Sequence, residues 1–236
     1  MISQSAYAKA ILAAGVADRK QTADHHDISA TGKEIRDRVL QAILSLDIKA
    51  TNKPSGGSVA SVDMGKVGPK AGKIADAAVK LHGGGGGQLS IVFVGEGHES
   101  ITDSARAQSL LDTIGTNPSF NDVVLILERG FYTRYRLPQS ITSRIREENI
   151  TSANGWEFGV DKLEHDNRTI VVAGYMLAHA ADGDQNRNVL FIVVFGDRHA
   201  DLAEQFEYLV RAAGRYGVDW VEKRPRCYCR ATSAKS

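Results

Sequence analysis

Two segments of this sequence place an acidic residue and a histidine directly after a run of large apolar residues. The first is Gly95–His98, with the sequence Gly-Glu-Gly-His, and the second is Gly196–His199, with the sequence Gly-Asp-Arg-His. A carboxylate beside an imidazole can orient the tautomer of the ring, raise its basicity or join it in holding a metal ion. The shared Gly-acid-x-His pattern therefore points to proton transfer or metal chemistry.

The apolar runs before these motifs are typical of buried parallel strands. Ile91–Val94 and Phe191–Phe195 are continuous runs of Val, Ile and Phe, as expected for strands that are covered on both faces. In α/β folds, ligands bind at the carboxyl ends of such strands. We therefore expect His98 and His199 to lie at one site on the carboxyl edge of a sheet.

A third apolar run, Val123–Leu127, ends directly in the charged residues Glu128 and Arg129. Charged groups at the mouth of a parallel sheet are costly to desolvate without partners, so this pair suggests a network that positions or polarises a substrate. The candidate catalytic residues of the sequence are Glu96, His98, Glu128, Arg129 and His199.

The order of predicted elements indicates an α/β fold with a mostly parallel sheet that is flanked by helices. Strands are predicted at 89–94, 123–127, 169–175 and 190–195, and amphipathic helical patterns follow the first and the last of them. A helix is also expected around 140–148, and a short final strand at 218–221.

Residues 1–88 contain few large apolar side chains and are predicted to be an N-terminal extension, part helical and part flexible linker. Apolar residues between Ile35 and Leu44 recur at helical spacing, and 53–58 has the composition of a linker. Residues 89–236 are predicted to form the α/β domain.

The composition argues against several classes of partner. The formal net charge of +1 does not favour binding to nucleic acid or to an anionic membrane. The sequence has no apolar run long enough to span a bilayer, and Ala6–Ala17 lacks the preceding cationic segment of a signal peptide. We expect a soluble protein, cytoplasmic or secreted without a clear signal peptide, and the oligomeric state stays open.

The C-terminal segment is basic and contains both cysteines of the chain, Cys227 and Cys229. One intervening residue is too short for an ordinary disulfide, and no second cysteine pair is present to complete a zinc site. This segment is therefore predicted to be a solvated tail, and no structural role is expected for its cysteines. Its cationic residues are Lys223, Arg224, Arg226, Arg230 and Lys235.

The motifs resemble those of the superfamily that contains ChaN-like haem-binding proteins, Tiki-type proteases and erythromycin esterases. Glu96 and His98 match its first motif, Glu128 matches its middle acid, and Gly196 with His199 matches its second Gly-x-x-His motif. The resemblance covers about residues 89–212 and includes a helix that contains Gln108. It implies that the paired motifs and the intervening acid form one site.

From the residues and this resemblance we expect a hydrolase that cleaves an ester or peptide bond in a small-molecule or peptide substrate. His98 or His199 would take the proton from water, Glu96 and Glu128 would orient or bind the reacting centre, and Arg129 would stabilise an oxyanion. If a divalent metal such as zinc or manganese is present, His98, His199 and Glu96 form a three-ligand set. The alternatives are a non-catalytic module that binds haem or another cofactor, and a secreted bacterial effector or toxin domain.

Overall fold

The computed structural model of the chain describes residues 4–16, 28–53, 59–66, 76, 86–97, 100–115, 122–127, 145–148 and 165–232. Over these residues the chain forms five α-helices, which are α1 (Gln4–Ala13), α2 (Ile28–Leu44), α3 (Ile101–Gly115), α4 (His165–Ala181) and α5 (Leu202–Gly214). The strands in the same residues are β1 (Ala50–Thr51), β2 (Val59–Lys66), β3 (Leu89–Glu96), β4 (Asp122–Leu127), β5 (Ile145–Glu148), β6 (Gly183–Asp184), β7 (Val189–Gly196) and β8 (Arg226–Thr232). A 3₁₀ turn, Asp197–His199, follows β7.

The large sheet has the strand order β2-β8-β3-β7-β4-β5, and each neighbouring pair is parallel. A separate short pair joins β1 to β6, also in parallel. Helices and a parallel sheet together confirm the predicted α/β class. No helix among the described residues is long and apolar enough to cross a membrane.

Contacts divide the chain into two compact units, and each unit is drawn from three segments. The helical unit comprises residues 1–53, 150–185 and 201–222, and the sheet unit comprises residues 54–149, 186–200 and 223–236. Both units take segments from each side of residue 88, so they do not coincide with the predicted division of the chain.

In the sheet unit, α3 packs on one face of the central strands. Alternate side chains of β3, β4, β7 and β8 meet the apolar side of α3, as the two-residue period of a strand requires. The cluster consists of Val92, Val94, Ala107, Leu110, Leu111, Ile114, Val123, Leu125, Leu127, Leu190, Ile192, Val194, Cys229 and Ala231.

In the helical unit, α4 packs against α1, α2 and α5. The residues of α4 from Thr169 onwards are buried on every side of the helix. Gly174 permits this packing, because a Cβ atom there would overlap with Val39 of α2 and with the hydroxyl of Tyr7 in α1. The Tyr7 hydroxyl donates a hydrogen bond to the carbonyl oxygen of Val171 at 2.9 Å, and burial raises the pKa of this phenol well above its ordinary value.

The strand predicted at 169–175 is wrong, because these residues belong to α4. A helix that is buried all around has no polar face, so its apolar run cannot be distinguished from a buried strand by periodicity. The strand predicted at 218–221 is also wrong, since the chain there is a series of turns. Part of the helix predicted around 140–148 is replaced by β5, and residues 140–144 lie outside the described residues.

The predicted solvated tail is wrong as well, because residues 226–232 form β8 inside the sheet, between β2 and β3. Cys227 and Cys229 are buried there, opposite Ser90 and Val92 of β3, and they form no disulfide. Arg224, just before β8, is buried too, and its Nε donates a hydrogen bond to the carbonyl oxygen of Gly87 at 2.7 Å. The segment therefore has a structural role that its composition does not indicate.

Candidate active site at the carboxyl ends of two neighbouring strands

The two strands that precede the histidine motifs, β3 and β7, are neighbours in the sheet. Their parallel register pairs Gly95 with Phe195 and Glu96 with Gly196, so both motifs leave the sheet at the same level. The strand β4 pairs with the other side of β7, and its last residue, Leu127, lies opposite Val194. The carboxyl ends of β3, β7 and β4 therefore lie at the same edge of the sheet.

Glu96 is the last residue of β3, and its side chain is buried with an exposed fraction of 2%. Val92 and Val94 face α3, so strand alternation directs Glu96 to the same side. Apolar side chains fill that face below Glu96, and a carboxylate at such a place is costly to desolvate. The buried carboxylate of Glu96 therefore needs stabilising contacts from the residues around it.

His199 lies at the end of the 3₁₀ turn after β7, and only 3% of its surface is exposed. Its ring meets the ring of Phe195 edge to face, with 5.3 Å between the ring centroids and an interplanar angle of 87°. The turn is closed by a hydrogen bond from the amide of Ala200 to the carbonyl oxygen of Asp197 at 3.2 Å. This packing fixes the imidazole close to the end of β7, against a side chain from the face of the sheet opposite to Glu96.

Besides Glu96, this edge of the sheet carries the carboxylate of Asp197, which is not among the predicted site residues. A Cβ atom built on Gly95 would overlap with Oδ1 of Asp197 and would lie 3.3 Å from Cε1 of Phe93. Phe93 is on the face of β3 opposite to Glu96. The carboxylates of Glu96 and Asp197 therefore flank the end of β3 from the two faces of the sheet.

The turn between β3 and α3 is held by charged side chains from the first turns of α3. Arg106, which is 2% exposed, donates a hydrogen bond from Nη2 to the carbonyl oxygen of Gly95 and forms an ion pair with Asp103 at 3.3 Å. The other oxygen of the Asp103 carboxylate accepts a hydrogen bond from the amide of Gly97 at 2.9 Å. The hydroxyl of Ser100 accepts from the amide of Asp103 at 3.2 Å and so caps the helix.

Three of the predicted site residues, His98, Glu128 and Arg129, lie outside the described residues. Their positions relative to Glu96 and His199 therefore stay predictions. Among the residues that are described, no group of three His, Cys, Asp or Glu side chains is arranged to hold a metal ion. Because the predicted ligand set includes His98, the metal hypothesis also stays a prediction.

Comparison with known proteins finds no matching family model, no matching curated protein and no matching solved structure. The resemblance to the ChaN-like, Tiki-type and erythromycin esterase superfamily thus rests on the motif residues alone.

Proposed function

We propose that the protein is a hydrolase whose active site lies at the carboxyl ends of β3 and β7. The observation that carries this proposal is the pairing of Glu96 with Gly196, which brings a buried carboxylate and the turn of a buried histidine to neighbouring strand ends. Buried acid and imidazole groups at such an edge are typical of general acid–base sites. We also propose that the protein is a member of the superfamily that its motifs resemble.

In the proposed reaction, His199 or His98 takes a proton from water, and the resulting hydroxide attacks the carbonyl carbon of an ester or amide. Arg129 stabilises the negative charge that develops on the carbonyl oxygen. The imidazolium then returns its proton to the departing alcohol or amine, so that one water is consumed for each bond cleaved. Glu96 and Glu128 orient or bind the reacting centre.

A metal-assisted form of this site would use Glu96, His98 and His199 as ligands. Carboxylate oxygen and imidazole nitrogen are donors that suit zinc, and they serve manganese as well. A bound divalent ion would lower the pKa of a coordinated water towards neutrality. If this form is correct, both His98→Ala and His199→Ala lower the zinc or manganese content of the purified protein.

The proposal is tested by assaying the protein on a panel of nitrophenyl esters and fluorogenic peptides, with and without added zinc or manganese. Glu96→Gln and His199→Asn are each expected to reduce kcat/KM by about 10²–10⁴-fold, the usual contribution of a general acid or base. Their melting temperatures should stay close to that of the unmodified protein, because both replacements keep the approximate size of the side chain.

His179→Asn is the matched control, since His179 is also a buried histidine but lies in α4 of the helical unit. It is expected to retain the activity of the unmodified protein. Full activity of both Glu96→Gln and His199→Asn would rule out the proposed site. Absence of hydrolysis over the whole panel, together with a Soret shift on haem titration, would support the cofactor-binding alternative instead.

A further inference from the structure

We propose that Asp103 and Arg106 are positioning residues, which fix the Glu96 carboxylate by holding the backbone on both sides of it. The effect of this on rate rests on the proposed function, whereas the effect on the backbone does not. Neither residue belongs to the Gly-acid-x-His motifs, and both come from α3 rather than from a strand end.

The contacts of the pair bracket Glu96 along the chain. Arg106 donates to the carbonyl oxygen of Gly95, the residue before Glu96, and Asp103 accepts from the amide of Gly97, the residue after it. The two side chains are joined to each other by their ion pair at 3.3 Å. The linked pair thus fixes the backbone just before and just after Glu96. The position of the Glu96 carboxylate is fixed with it.

The energy of a buried ion pair does not by itself explain why these residues occupy the inner face of α3. The side chains are 2% and 8% exposed, so both charges have lost most of their hydration. Replacing a buried pair of this kind with apolar residues of similar volume is often neutral or stabilising. The neighbouring inner positions of α3, Ala107 and Leu110, are apolar and fully buried. The hydrogen bonds to the backbone on both sides of Glu96, which apolar side chains could not make, account for a charged pair at these positions.

Precision at this point matters for the proposed chemistry. A displacement of about 1 Å at a reacting group can reduce a rate on the order of 100-fold. Glu96 is the last residue of β3, where it is paired with Gly196 of β7, whereas the pairing of β3 with β8 ends at Val94. The contacts of Asp103 and Arg106 supply the restraint that the sheet cannot give beyond its edge.

The test uses the double variant Asp103→Leu/Arg106→Met of the 236-residue chain, which replaces both charged side chains with apolar ones and removes both backbone anchors. On a substrate identified from the hydrolase panel, we expect kcat to fall about 10- to 100-fold with KM changed less than about twofold. The melting temperature should change little, because the loss of the two backbone hydrogen bonds opposes the gain from no longer burying two charges. The single variant Asp103→Asn keeps an oxygen that can accept from the Gly97 amide and keeps Arg106. Its kcat should therefore be much closer to that of the unmodified protein than the kcat of the double variant is.

A second measurement does not depend on hydrolysis. Amide hydrogen exchange followed by NMR should become at least about tenfold faster at Gly97 in the double variant, while exchange at Val92 in the middle of β3 should not change. If the unmodified protein hydrolyses nothing on the panel, the proposed function fails, but the exchange rate at Gly97 still decides whether the pair holds the turn. Unchanged exchange at Gly97, or faster exchange with unchanged kcat on an active substrate, would overturn the inference.

The control is Asp122→Leu/Arg187→Met, which removes another ion pair of the same length, 3.3 Å, from the opposite edge of the same sheet. Asp122 is the first residue of β4, and Arg187 lies just before β7. This variant should leave both kcat and Gly97 exchange unchanged, because its ion pair does not contact the turn after β3. Equal effects of the two double variants would show a general loss of packing and would contradict a positioning role.

Discussion

At the end of β3, Gly95 lies where the acid of the second histidine motif approaches the first motif. The carboxylate of Asp197, which follows β7, fills the space that a side chain on Gly95 would need. This contact exists because the parallel register sets Gly95 beside Phe195, so that Asp197, two residues after Phe195 in the turn that follows β7, lies next to Gly95. A glycine is therefore favoured at position 95 because the carboxylate of Asp197 leaves no room for a side chain there.

We expect Gly95→Ala to destabilise the protein by about 1–3 kcal/mol, the usual cost of overpacking a close-packed site. The measurement is the urea concentration at the midpoint of unfolding. Gly97→Ala is the control, since a Cβ atom there would lie 3.4 Å from Oδ2 of Asp103, which is ordinary contact. The further change Asp197→Ala in the Gly95→Ala background should recover part of the loss, and no recovery would contradict the steric explanation.

Single residues at this edge differ in how far the sequence could predict them. Glu96 and His199 were found because each follows a continuous apolar run, and strand ends are where such folds place their ligands. Asp103 and Arg106 gave no such signal, because charged residues in the first turns of a helix are usually solvated. Their burial depends on how α3 lies over the sheet, which spacing along one helix does not determine.

At the scale of elements, the sequence predicted those strands that follow a simple apolar pattern and have a recognisable end. β3, β4 and β7 are central strands with both faces covered, and they were found within two residues of their bounds. α4 was mistaken for a strand because it is buried all around. β8 was missed because Arg226 and Arg230 flank its cysteines, and cationic residues near a terminus are common in solvated tails.

The burial of β8 has a chemical consequence for Cys227. Desolvation, with the neighbouring Cys229, raises the pKa of this thiol to about 12. Because this pKa is raised on folding, the stability that the neutral thiol provides is fully present at neutral pH and is lost as the pH rises through the folded-state pKa. The thiolate, which is the reactive form, is correspondingly scarce in the folded protein.

We therefore expect Cys227 to react with iodoacetamide at neutral pH about a thousandfold more slowly in the folded protein than in urea. This factor corresponds to the rise of its pKa from 9.0 to about 12. The rate is followed by mass spectrometry. Comparable rates in the two states would show that β8 is accessible to solvent and would contradict its place inside the sheet.

At the scale of the whole molecule, each compact unit is assembled from three separate stretches of the chain. The composition predicts a single division near residue 88, because the first 88 residues contain few large apolar side chains. Four of these apolar side chains are almost completely buried in the helical unit, with at most 2% of their surface exposed. They are Ile11, Ile35, Val39 and Ile43. The composition of a segment gives the number of its apolar residues. It does not show that a helix far away in the sequence, such as α4, packs against those residues.

Removal of residues 1–53 should therefore unfold the helical unit rather than trim an appendage. Each fully buried apolar side chain is worth about 1.5–3 kcal/mol, so the loss of four or five is comparable to the whole stability of a domain, about 5–15 kcal/mol. We expect residues 54–236 expressed alone to bind the dye ANS and to lose near-UV circular dichroism, whereas co-expression with residues 1–53 as a separate chain should restore a cooperative transition. Cooperative unfolding of residues 54–236 at the temperature of the full chain would instead show that α4 needs neither α1 nor α2, and that the N-terminal segment is the dispensable extension that its composition predicts.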